Sequence, residues 1–144
     1  MKTLSLVNKK MNHQNSIWIH VKSEPDVARS IVETKRVASA IGFDNNICQM
    51  IATAVSELAR NIVKYAGKGE IIIAPVQQGY RVGIEIIAQD RGPGMLNVEQ
   101  AMTDHFSSGG TLGLGLPGVK RMMDEFEINS VVEQGTRIAI KKWR

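Results

Sequence analysis

Residues 70–94 read EIIIAPVQQGYRVGIEIIAQDRGPG. The chain is rich in Ile and Val from Glu70 to Val76 and again from Tyr80 to Ala88, with Gln77-Gln78-Gly79 between, which reads as a β-hairpin. The hairpin delivers Asp90-Arg91-Gly92-Pro93-Gly94 to a loop directly after an apolar strand. One reading of that run is a turn built from good turn formers. The other is a site: Asp90 accepts a hydrogen bond from an adenine amino group, while Gly92 and Gly94 let backbone approach the base and ribose without a Cβ in the way.

Working back from the hairpin, Asp44 and Asn45 cap a long helix in which Ile47, Met50, Ile51, Ala54, Val55, Leu58 and Ile62 recur at helical spacing up to Gly67. Ahead of it, Ser23-Glu24-Pro25-Asp26 starts another helix, striped by Val27, Ile31, Thr34, Val37, Ala38 and Ile41 and stopped by Gly42. Ile17, Ile19 and Val21 alternate with Trp18 and His20 as a strand with one buried face. Working forward, a short helix around Val98 to Met102 precedes a Gly-rich stretch, and a helical run from Leu116 to Met123 is extended by Asp124 and Glu125. Strands Glu127 to Val132 and Arg137 to Lys142 finish the chain, giving the order β-α-α-β-β-α-β-β. The expected fold class is α/β: a two-layer α/β sandwich whose mixed, largely antiparallel sheet carries helices on one face.

The 144 residues suit one domain, read as residues 16–144 after a disordered extension at residues 1–15. The single Cys48 has no disulfide partner, and the apolar run Leu4 to Val7 is too short for a signal core or membrane span. Both point to the cytoplasm. The net charge of +4 is spread along the chain except at Lys141, Lys142 and Arg144, with no recognition motif for nucleic acid, so neither a nucleic-acid partner nor a membrane span is expected.

Two further motifs carry chemistry. In Glu57-Leu58-Ala59-Arg60-Asn61, a spacing of four puts both polar side chains on one helix face beside the Leu58/Ile62 stripe. That is either a solvated helix face or a site in which the Asn61 oxygen suits Mg²⁺ and the Glu57 carboxylate accepts a hydroxyl proton or orients a nucleophile. Lys64, one turn on, is an exposed helical lysine or a phosphate contact. Gly109-Gly110-Thr111-Leu112-Gly113-Leu114-Gly115-Leu116 is either a flexible linker or a backbone bend that turns amides and a helix N-terminus toward phosphate.

In this order, Glu-x-x-x-Asn on a helix, Asp-x-Gly-x-Gly after a strand and Gly-x-Gly before a helix resemble the N, G1 and G2 boxes of the GHKL (histidine-kinase-like ATPase) fold. Gly135-Thr136 fits its additional Gly-Thr element, and the resemblance covers about residues 16–143. Ser56 to Ile62, Tyr65-Ala66-Gly67-Lys68-Gly69 and Leu116 to Phe126 look like the RsbT switch-kinase family.

The resemblance implies an ATP- and Mg²⁺-dependent serine/threonine-protein kinase acting on STAS-domain stressosome proteins and activating a PP2C-type phosphatase. It makes Glu57 the catalytic base, Asn61 the metal ligand and Asp90 the adenine anchor. Gly92, Gly94, Gly110, Gly113, Leu114 and Gly115 become nucleotide contacts, with Thr136 at the adenine end. Thr103 to Leu112 is then a short ATP lid, and Thr111-Leu112 departs from the family's usual glycine spacing. The alternative is an anti-sigma factor or another nucleotide-gated binding module.

Overall fold

The computed structural model describes residues 15–103 and 114–144. Its elements run β1 (Ile17–Val21), α1 (Glu24–Ile41), α2 (Asn45–Asn61), a π-helical turn (Ile62–Ala66), β2 (Gly69–Gln78), β3 (Arg81–Asp90), α3 (Val98–Ala101), α4 (Gly115–Met122), β4 (Glu125–Val131) and β5 (Gly135–Trp143). The strands form one sheet in the order β1-β2-β3-β5-β4. All four ladders are antiparallel, so a sheet expected to be mixed runs in alternating directions throughout.

Period-two alternation sorts the strand residues onto two faces. On one face, Ile19, Ile71, Ile73, Ile84, Ile86, Ile138 and Ile140 join Val27 of α1 and Ile51, Val55 and Leu58 of α2 in a single core. Burying each such side chain contributes roughly 1.5–3 kcal/mol. On the other face, Ile72, Ala74, Ile87 and Ala139 make a separate small cluster. The two-layer sandwich with helices on one face is therefore the observed architecture.

Capping explains both long helices. The Asp44 carboxylate accepts the Ile47 N–H at 2.8 Å to start α2. Gly42, in the left-handed region at φ 110°, ends α1 by donating to Ala38 and Ser39 carbonyls.

Three boundaries differ from the sequence reading. The helix expected to run to Gly67 changes to π at Ile62, which widens one turn directly after Asn61. Asp124 and Glu125 do not extend α4: Met123 is extended (φ −108°, ψ 158°), the Asp124 N–H bonds Lys141 O, and Glu125 opens β4. Asp90 is not in a loop but is the last residue of β3, paired with Thr136, because the ladder with β5 holds its backbone. Residues 1–14 of the expected extension, and the lid apart from Thr103, lie outside the described residues.

Candidate active site

At one end of the sheet, on the helix face, β3, β5 and β4 bring Asp90, Thr136 and Ser130 into register across three strands. Asp90 Oδ1 accepts the Gly92 N–H at 2.8 Å, an Asx-type turn that starts the loop. Burial pushes the Asp90 carboxyl above its ordinary value of 3.8, against the opposing pull of the Gly92 and Thr136 N–H groups. Thr136 is buried, and its Oγ1 lies 2.8 Å from Ser130 Oγ. Ser130 Oγ in turn accepts the Met95 N–H at 2.8 Å. Ser130 was not singled out from sequence. The β4–β5 hairpin register would have found it, since Ser130 is the direct cross-strand partner of Thr136.

The π turn links this cluster to the Glu57/Asn61 helix face. A Cβ at Gly69 would meet Ile62 Cγ2 at 2.8 Å and Asp90 Cβ at 3.1 Å, so Ile62 and Asp90 flank the same glycine. A Cβ at Gly92 would lie 2.6 Å from Ala66 Cβ. Gly94, at φ 74°, lies so close to Val131 O that no side chain fits. Both loop glycines are thus required by contacts within the chain.

A second junction forms where α2 meets α4. Glu57, half-buried near the end of α2, accepts the Gly115 N–H at 2.9 Å through Oε1, which fixes the carboxylate at the first turn of α4. The far end of α4 is held too, because Lys142 Nζ donates to Met122 O at 3.0 Å. Asn61, half-buried and one turn beyond Glu57, does not spend its side chain on capping. Lys64 is exposed, its Nζ 5.2 Å from the centre of the Tyr65 ring. Leu114 is 41% exposed ahead of α4. Gly110 and Gly113 lie outside the described residues.

The geometry therefore unites Glu57 with Gly115, and Asp90 with Gly92 and Thr136, and joins the two groups through residues 62–66. One end of the arrangement thus carries a carboxylate and a hydroxyl, and the other a helix start with a second carboxylate.

Residues 21–142 match the family model described as Histidine kinase-like ATPase domain. The serine/threonine-protein kinase RsbT of Bacillus subtilis (strain 168) is 47% identical over 133 residues, which span 92% of this chain and 98% of that relative. The chain belongs to the RsbT family of histidine kinase-like ATPase domains. An anti-sigma F factor of Clostridium novyi (strain NT) is 37% identical over 97 residues, 64% of this chain and 68% of its own length. Among solved structures, the RsbU and RsbW domains of a Mycobacterium tuberculosis protein superpose with a TM-score of 0.58 at 20% identity. That match covers 90% of this chain and 32% of the other, and it supports the fold. Membership of the RsbT family implies ATP binding. No helix of the described residues is long and apolar enough to cross a membrane.

Proposed function

We propose that the protein is a cytoplasmic serine/threonine-protein kinase. It transfers the γ-phosphoryl group of ATP to a Ser or Thr of STAS-domain stressosome proteins and, on changing partner, activates a PP2C-type phosphatase. The observation that carries this reading is the Glu57 carboxylate held 2.9 Å from the Gly115 N–H at the head of α4. A helix N-terminus attracts phosphate, so the carboxylate stands where a hydroxyl nucleophile would meet a phosphoryl group. A phosphate oxygen taking the Gly115 N–H frees Glu57 to accept the proton of the incoming hydroxyl.

Asn61 holds Mg²⁺ through its amide oxygen. The donor chemistry fits: Asn61 offers a half-buried amide oxygen not spent on capping, and Mg²⁺ characteristically takes one or two protein ligands, waters and substrate phosphates. Bound there, the ion would supply neutralisation of the charge on the ATP phosphates. Asp90 accepts the adenine amino group beside the Thr136 hydroxyl. Gly92 and Gly94 shape the loop beneath the base, and the remaining nucleotide contacts are assigned, on the resemblance of the motifs, to Gly110, Gly113, Leu114, Gly115 and Lys64.

The raised titration of Asp90 gives this reading a pH signature. The adenine amino group bonds more strongly to an ionised acceptor than to a protonated one, so ATP affinity is greatest above the folded-state pKa of Asp90. It is lost as pH falls through that value, beginning above the 3.8 of an ordinary aspartate. Stability runs the other way: with the folded pKa raised, ionisation of Asp90 costs stability as pH rises from 3.8 through it. Calorimetric ATP titrations at descending pH on wild type and Asp90→Asn check this. The acid limb should flatten in the variant, and an unchanged limb would assign it to another group.

Transfer of labelled γ-phosphate from Mg-ATP to STAS-domain proteins tests the kinase reading. Labelled STAS protein supports it. The anti-sigma F factor relative favours a second reading, a nucleotide-gated module that sequesters its partner. ATP binding with no transfer, together with capture of a sigma factor, selects that one.

A further inference from the structure

The sheet has a second face, turned away from the helices, and along its three central strands it carries Ile72, Ala74, Glu85, Ile87, Gln89 and Ala139. Side chains on a bare sheet face stay partly open to water. Here Ile72, Ala74 and Ile87 are 0% exposed, and even the charged Glu85 is 1% exposed. No described helix covers them: α1, α2 and α4 send Val27, Leu58 and Val119 into the core on the opposite face. Another part of the chain must lie over this outer face.

Two stretches fall outside the described residues. Residues 104–113 run between α3 and α4, whose Ala101, Met102, Leu116 and Val119 all pack on the helix-face core, so that stretch is tethered at both ends on the opposite side. Residues 1–14 lead into β1, an edge strand. Asn15 lines a recess together with Gly83, Glu85 and Lys141 of the outer face, so the chain enters β1 from that side. Reach is ample, since fourteen extended residues span about 46 Å against about 19 Å across five strands. The chemistry matches as well. Residues 1–14 hold Leu4, Leu6 and Val7, then Lys9 and Lys10, and no carboxylate. The outer face offers the apolar Ile72/Ala74/Ile87/Ala139 cluster beside the carboxylates of Glu85, Glu125 and Glu127. Lys141 alone faces two of these, Glu85 at 3.6 Å and Glu125 at 3.9 Å.

We propose that residues 1–14 are an intramolecular cover for the outer face of the sheet, bringing Leu4, Leu6 and Val7 to the apolar cluster and Lys9 and Lys10 to Glu125 and Glu127. The cover takes a surface that a second copy of the chain could otherwise occupy, since a bare apolar patch of this kind invites association. The outer-face residues involved lie across the sheet from Glu57 and Asp90, so the cover does not enter the nucleotide site.

Carbodiimide cross-linking of the wild-type chain, read by mass spectrometry, tests this directly. Links from Lys9 or Lys10 to Glu125 or Glu127 within one chain are the expected result. Links that form only between chains would put a second copy on the face, and a lack of links from residues 1–14 to the outer face would place the segment elsewhere; either overturns the proposal. A second experiment removes the apolar contacts. In the triple variant Leu4→Asp, Leu6→Asp, Val7→Asp, carbene labelling of Ile72 and Ile87 should rise several-fold, while that of Ile51 and Leu58 in the helix-face core stays as in wild type. Unchanged labelling at Ile72 and Ile87 would also overturn the proposal. If all four residues become labelled, the variant has unfolded, and the wild-type cross-links decide.

Discussion

Glu57→Ala lowers phosphoryl transfer to the protein substrate by about 10²- to 10⁴-fold, the range a positioned general base supplies, while ATP still binds. The two halves of that result have separate causes. The carboxylate is fixed at the head of α4 by its 2.9 Å bond to the Gly115 N–H, so its loss removes the proposed proton acceptor. The same loss leaves the Gly115 N–H uncommitted, which favours a phosphate there. Asn61→Ala separates from it cleanly: with the proposed metal ligand one helical turn away removed, ATP affinity itself should become insensitive to Mg²⁺. Single-turnover transfer and calorimetric ATP binding, each with and without Mg²⁺, read the two variants. Full transfer by Glu57→Ala would remove it from the reaction, and an Asn61→Ala protein that keeps its Mg²⁺ dependence would move the metal elsewhere.

Gly135→Ala has the largest expected effect on stability. Gly135 sits at φ 129°, and a Cβ there would run into the carbonyl of Asp90, with Arg91 Cα 2.9 Å away. The neighbour is strand backbone, which cannot swing aside as a side chain would. Backbone strain of about 1–3 kcal/mol adds to an overpacking cost of about 1–3 kcal/mol, so the melting temperature should fall by roughly 10 °C for a chain of this size. Gly79→Ala is the control. Gly79 also has a positive φ, 61°, but nothing lies within 4 Å of its Cβ position, so only the smaller left-handed penalty of about 1 kcal/mol applies. Thermal melts of both variants decide the matter: equal shifts would show that conformation alone matters and that the Asp90 contact yields.

Much of the fold was legible because its elements are strongly periodic. The Ile17/Ile19/Val21 alternation, the α2 stripe and the β2–β3 hairpin each bury one face, and burial is what periodicity records. The boundary of α4 was misread because Asp124 and Glu125 suit a helix locally, whereas the Asp124 N–H and Glu125 are claimed by β5. The π turn left no trace in the pattern. A stretch such as Ile62 to Ala66 buries much the same residues as α or π, and the choice falls to packing around Gly69 and Gly92. For the site, the three boxes were legible as motifs, but each alone had an ordinary structural reading. What sequence could not supply was distance: that Glu57 reaches Gly115, 58 positions along the chain, and that Ser130 stands under Thr136. Both are products of strand order and register.

The ladder between β3 and β5 sets when the protein acquires its cleft during synthesis. Asp90 and Thr136 become neighbours only once residues 83–90 and 136–143 zip together, and the latter leave the ribosome after the other four strands of the sheet. A nascent chain that has emerged as far as α4 already carries Glu57, Asn61 and Asp90, yet one edge of β3 is still bare, a template for unwanted strand pairing. ATP stabilises only the form that binds it, so it offers no protection over that interval. Strand β5 closes the exposed edge and sets Thr136 opposite Asp90 in one event, so a chain truncated before β5 should lose solubility together with the nucleotide binding proposed for that end.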